Sequence, residues 1–119
     1  MTLIVQKYGG TSVGSIEKIG NVADKVCAHV KNGEQVVVAV SAMSGETNRL
    51  ISLAEEMSEQ PHPREMAVLV STGEQVTIAL LTMALHDRGC DAKSYTGSQI
   101  RMLTDSAHGK ARIREIQCD

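Results

Sequence analysis

Lys7, Tyr8, Gly9, Gly10, Thr11 and Ser12 stand together as KYGGTS, where a short apolar segment gives way to a helical pattern. A cation, two residues without side chains and two hydroxyls at a strand-to-helix junction make an anion site. Glycine lets backbone N–H groups come close to a ligand, and a helix start supplies unpaired donors and partial positive charge. Phosphate is the anion that suits such a junction. The same residues also fit a tight turn with a solvated lysine, and the pattern alone leaves both readings open. It is neither a Walker A loop nor GxGxxG. Here the lysine precedes the glycines, so its ammonium can reach over the loop toward a terminal phosphate.

Two further clusters hold residue types that do chemistry. Ser41 follows an apolar strand pattern directly, within Ser41-Ala42-Met43-Ser44-Gly45-Glu46-Thr47-Asn48. Thr47 and Asn48 fall near a helix start, where they either cap the helix or face a ligand. The third cluster is Ser71-Thr72-Gly73-Glu74-Gln75, inside an otherwise apolar helix. Glu74 shares a face with Val70, Thr77, Ile78 and Leu81, where a carboxylate is costly to bury without a partner. Gly73 inside a helix costs roughly 1 kcal/mol relative to alanine. Two unfavourable choices side by side fit a pocket wall approached by a ligand cation, or an ion pair with a distant Arg or Lys. The histidines at 29, 62 and 86 read as solvated. The basic run from His108 to Arg114 reads as a solvated loop leading into a strand.

The elements that must carry these clusters alternate. Residues 2–7 read as a strand. Ile16, Ile19, Ala23, Val26, Cys27 and Val30 then recur at helical spacing, with Gly33 as a C-cap. The β-branched run at residues 35–40 reads as a strand covered on both faces. A helix is expected over residues 47–57. Another is expected from Pro63, suited to a first helical position, to about Arg88. Residues 92–95 read as a third strand, 96–109 as a polar loop with an apolar island at 100–103, and 111–116 as a fourth strand. The order predicts an α/β fold with a mostly parallel sheet. In such sheets ligands collect beyond the carboxyl ends of the strands, where the polar clusters fall.

Composition narrows the function classes. The chain has 119 residues and a formal charge of −2, with both signs scattered, which suits neither a nucleic-acid nor a membrane surface. No apolar run approaches the roughly 20 residues of a membrane span, and the N-terminus does not read as a signal peptide. With no Trp or Phe and only two Tyr, the core must be aliphatic, Met residues included, and a base-stacking platform is excluded. Cys27, Cys90 and Cys118 are far apart and form no CxxC pair, so reduced structural thiols in a cytoplasmic protein are expected.

VQKYGGTSVGS (residues 5–15), VVVAVSAMSGETNRL (36–50), VSTGEQVTIALL (70–81) and SYTGSQIRMLTDSAHGKARI (94–113) together resemble the aspartokinases of the amino-acid kinase family. A lysine before two glycines is shared widely in that family. KYGGTS, SAMSGETN and STGEQ in combination are specific. The resemblance implies a three-layer αβα sandwich with a mostly parallel sheet. It also implies ATP- and Mg²⁺-dependent phosphorylation of the L-aspartate β-carboxylate to 4-phospho-L-aspartate, the first step toward lysine, threonine and methionine. By the same resemblance Lys7 contacts the transferring phosphoryl group, and Gly9, Gly10, Thr11 and Ser12, with Tyr8 among them, line the phosphate loop. Ser41 faces the nucleotide phosphates. Thr47 and Glu74 hold aspartate, with Glu74 reading its ammonium.

Aspartokinases are much longer than this chain. Residues 1–119 therefore correspond to the N-terminal part of a kinase domain, without the adenine-binding half or the ACT regulatory domains. The expectation is a fragment inactive alone, from a homo-oligomeric enzyme without nucleic-acid or membrane partners. Two other readings stay in view: a non-catalytic dimerisation or scaffold piece, and a kinase for another acid such as glutamate or acetylglutamate. STGEQ and SAMSGETN argue against the last.

Overall fold

The structure is a computed structural model that describes residues 2–97, 99, 102–104 and 113–116. Strand β1 (Leu3–Tyr8) and strand β2 (Gln35–Val40) pair in parallel, from Leu3 opposite Gln35 to Tyr8 opposite Val40. A parallel pair needs a crossover, here helix α1 (Ile16–Lys31). The Ser15 hydroxyl caps α1 by accepting the Lys18 N–H at 3.2 Å. Asn32 closes the helix and Gly33 follows at φ 83°, the left-handed geometry expected there.

Helix α2 (Glu46–Met57) and helix α3 (Pro63–Asp87) follow. Pro63 takes the first helical position of α3, after His62, whose Nδ1 accepts the Arg64 N–H at 3.1 Å. Ile19, Val22, Ala23, Val26 and Cys27 of α1 meet Leu81 and Leu85 of α3 in the core, closed by Val13 and Cys90. Tyr8, Val36, Val38 and Val40 press on this cluster from the sheet. The described residues thus supply a sheet and one helical layer of the expected sandwich.

Several expectations change. Only one sheet face is covered, since Leu3, Val5 and Val37 alternate onto the other face and are 60 %, 70 % and 53 % exposed. An unbroken β-branched run could not distinguish a face already covered from one awaiting cover. Residues 92–95 form no strand. Their burial alternates as a strand's does and Ala92 packs on the core, but a strand also needs a ladder, which no local pattern encodes. The apolar island instead contributes strand β3 (Met102–Thr104), paired antiparallel with strand β4 (Ile113–Ile116) in a separate sheet. Parallel pairing is therefore confined to β1 and β2.

Cys27 and Cys90, 63 residues apart in sequence, lie with Cα atoms 6.2 Å apart and are paired as a disulfide. Distance along the chain, the ground for expecting separate thiols, says nothing about distance across the α1–α3 core. Cys118 and the basic run at 108–112 lie outside the described residues. Helix α3 is, by length and composition, long and apolar enough to cross a membrane, contrary to the expectation that no such segment exists. It packs instead on α1, α2 and β2, burying Gly73, Thr77, Leu81 and Leu85, as the core helix of a layered domain does.

Candidate functional site

The site lies beyond the carboxyl ends of β1 and β2. The Ser41 N–H donates to the Tyr8 carbonyl at 3.2 Å, carrying the parallel ladder one step past the strands and fixing the two loops side by side. In the first loop the Ser12 N–H closes a turn on the Gly9 carbonyl at 3.0 Å, and Val13, fully buried, anchors that turn in the core. Gly9, Thr11 and Ser12 stay exposed above it. The turn expected as an alternative is therefore present, and its hydroxyls face outward.

Lys7 is the last residue of β1 on the uncovered face, in line with Leu3 and Val5 and opposite Ala39. Its ammonium makes no ion pair or hydrogen bond among the described residues. Tyr8 points the other way. Its ring packs on the core and its hydroxyl donates to Gln6 Oε1 at 3.0 Å, so its contribution at the loop is its backbone.

The second loop starts α2 without a side-chain cap. Gly45 holds the N-cap position at φ 81°, and neither Thr47 nor Asn48 caps the helix. The Glu46 N–H is taken by the Met43 carbonyl at 3.0 Å. The Thr47 and Asn48 N–H groups have no partner among the described residues, and such donors at a helix start favour an anion. Arg49 donates through Nε to Glu46 Oε2 at 3.1 Å and pairs with the same carboxylate through its other nitrogen. Those hydrogen bonds hold the Glu46 carboxyl below the usual carboxylate range.

The third cluster separates into two roles. Glu74 is exposed and makes no ion pair with a described residue, so neither the costly burial nor the distant structural salt bridge is found. Gly73 is buried for packing. A Cβ there would lie 3.0 Å from Ala42 Cβ and 3.4 Å from both Glu46 Cγ and Leu50 Cδ1. The opposite side of Ala42 meets the first loop, where a Cβ on Gly10 would lie 3.0 Å from the Ala42 carbonyl oxygen. Gly14 presses likewise on Ser44 Cβ, at 3.2 Å. All three clusters thus meet around one small buried residue that sequence reasoning did not single out. The only signal for it was a small side chain within SAMSG.

The assembled rim offers one free ammonium, five exposed or half-exposed hydroxyls (Thr11, Ser12, Ser41, Ser44, Thr47) and open backbone donors, with the Glu74 carboxylate on the neighbouring helix. Such a surface binds a polyanion on one side and offers a cation acceptor on the other. No group of three or more His, Cys, Asp or Glu able to hold a metal occurs among the described residues. Two grooves, between α1 and α3 and between α2 and α3, contain none of the predicted site residues.

A strand–helix–strand unit whose lysine and glycine loop lies against a serine loop defines a class that comparison confirms. The chain belongs to the amino acid kinase family, whose model matches residues 2–117. Within that family its relatives are aspartate kinases. It is 67 % identical over 116 residues to the aspartate kinase of Pseudomonas putida KT2440, covering 98 % of this chain and 28 % of that protein. It is 58 % identical to aspartokinase 2 of Bacillus subtilis 168, again covering 98 % of this chain and 28 % of the relative. Among solved structures, the aspartate kinase from Synechocystis superposes with a TM-score of 0.80 at 50 % identity, covering 83 % of this chain and 17 % of that one. The chain thus spans about 28 % of the length of the curated relatives it matches.

Proposed function

We propose that this chain is the N-terminal part of an aspartate kinase catalytic domain, residues 1–119, and carries its phosphate loop and part of its aspartate site. The observation that carries the reading is the convergence of KYGGTS, SAMSGETN and STGEQ around Ala42 at the carboxyl ends of β1 and β2. The reaction is transfer of the γ-phosphoryl group of ATP to the β-carboxylate of L-aspartate.

Both reactants are anions, so bringing them together is the main difficulty, and positioning with positive charge is what phosphoryl transfer asks of a protein. Lys7 supplies the charge at the transferring group. Gly9, Gly10, Thr11 and Ser12, with the Tyr8 backbone, cradle the phosphates, and Ser41 faces them. Thr47 orients aspartate, and Glu74, with no partner of its own, accepts its ammonium. No general base is assigned, because a carboxylate with an ordinary pKa of about 4 is already ionised at neutral pH. Mg²⁺ is carried largely by nucleotide phosphates, and no step is routed through a metal ligand of this chain.

The enzyme is placed in the cytoplasm, as a homo-oligomer, without nucleic-acid or membrane partners. Trapping aspartyl phosphate as the hydroxamate tests the reading. The complete gene product should form hydroxamate with ATP and aspartate and not with glutamate or acetylglutamate, whereas the 119-residue chain alone should form none. A complete product that phosphorylates another acid would overturn the assignment. The bare face of Leu3, Val5 and Val37 favours one further property, self-association of the isolated chain, read as concentration-dependent sedimentation without ATP or aspartate.

A further inference from the structure

The Gly10–Ala42–Gly73 contact is unusual because no flexible side chain lies in it. A Cβ on Gly73 would meet Ala42 Cβ at 3.0 Å, and a Cβ on Gly10 would meet the Ala42 carbonyl at 3.0 Å. Each neighbour is backbone or an atom fixed rigidly to backbone, and Ala42 is itself buried. A long side chain at such a point would absorb a small shift by changing rotamer. Here a shift of α3 must displace the Ala42 main chain, and that chain abuts the phosphate loop. Interiors packed at this density transmit such strain rather than absorb it.

We propose that Gly73 and Ala42 are positioning residues, which with Gly10 fix the separation between the phosphate loop and the helix that carries Glu74. This rests on the aspartate kinase reading, in which the loop holds the donor phosphates and Glu74 holds the acceptor. Neither residue touches a reactant. Their effect is to set the donor–acceptor distance, to which transfer is steeply sensitive: a misplacement of about 1 Å can cost on the order of 10²-fold. Gly73 then has a reason to be glycine in spite of its helix, where alanine would be favoured by about 1 kcal/mol.

The test is Gly73→Ala in the complete gene product, with kcat expressed per nucleotide site titrated by a non-hydrolysable ATP analogue. Each half-site keeps its own contacts, so KM for ATP and for aspartate should stay within about twofold while kcat falls about tenfold or more. Adding Ala42→Gly moves the methyl from loop to helix and should restore at least half of that loss on a logarithmic scale. Wild-type kcat in Gly73→Ala, or a double variant no better than the single one, overturns the proposal. If Gly73→Ala does not fold, the comparison becomes A42G against A42G/G73A, where the refilled contact should be the faster enzyme and equal or lower kcat refutes.

The spacing is also read without chemistry. A crystal structure of Gly73→Ala should show the Ala42 main chain moved toward Gly10 by tenths of an ångström, and an unmoved Ala42 overturns the proposal. A wild-type product that phosphorylates nothing would end the kinase reading while leaving that displacement to be measured.

Discussion

Replacing Lys7 by methionine should separate chemistry from stability. Lys7 is exposed at the end of β1, on the face away from α1 and α3, so its loss opens no cavity. It has no ion-pair partner among the described residues, so its removal strands no buried charge. Methionine keeps a long unbranched stem on a strand surface. The stability change should therefore stay within about 0.5 kcal/mol, the range of ordinary surface substitutions. The reaction loses a cation aimed at developing charge. One such preorganised group is worth about 10²–10³ in kcat, or roughly 2.7–4 kcal/mol of transition-state stabilisation. Hydroxamate trapping in the complete gene product gives kcat and the two KM values, and thermal unfolding gives the stability. The KM for aspartate should change far less than kcat. A kcat within about threefold of wild type would refute the role of Lys7. So would a large loss of activity matched by a comparable loss of stability. Lys7→Arg should recover only part, because a planar fork does not replace a compact ammonium at a point contact.

Other outcomes follow from the same geometry. Glu74→Gln should raise the KM for aspartate at least tenfold and leave the KM for ATP near wild type; equal shifts in both would remove Glu74 from the acceptor side. Val13→Ala leaves a gap under the phosphate loop and should cost roughly 2–3 kcal/mol, seen as a lower urea midpoint at unchanged slope. Gly20→Ala should be neutral to stabilising by up to about 1 kcal/mol, because the new methyl meets only Arg88 Nη2 at 3.2 Å, the far end of a flexible side chain. Arg88 can shift at the expense of its exposed pair with Asp24 at 2.7 Å. Glu46, held below the usual carboxylate range by Arg49, contributes stability above the ordinary carboxylate pKa that is lost as pH falls through the lowered value. The melting-temperature difference between wild type and Arg49→Met should accordingly shrink below about pH 4, and a difference constant from pH 3 to 7 would contradict it.

The sequence was most readable where periodicity and punctuation act locally. Pro63 and Gly33 mark helix ends because fixed or left-handed φ belongs there, and the β-branched run ends with β2 at Val40. What was not readable depends on parts of the chain that meet only in space. Residues 92–95 alternate like a strand but have no ladder, and Cys27 finds Cys90 only because α1 lies against the end of α3. The site divides in the same way. Its residue types were visible as three clusters, and the expense of Gly73 was noticed. The cause assigned to it, a ligand, was incomplete, since Ala42 of another loop is what requires the missing side chain. Glu74 looked buried by helical spacing alone, yet that side of α3 is open.

The uncovered face of β1 and β2 also determines what a stability measurement on this chain means. Leu3, Val5 and Val37 keep 60 %, 70 % and 53 % of their surface in water. Fully burying such a side chain is worth about 1.5–3 kcal/mol, so roughly 3–5 kcal/mol of hydrophobic stabilisation is unrealised at these three positions. That is a large part of the 5–15 kcal/mol by which a typical domain is stable. The chain with this face wet and the chain with it covered are thermodynamically different objects. Val5→Ala would register almost nothing in the first and a core-sized loss in the second. That one position can therefore serve as a gauge of whether the sheet has acquired its second layer.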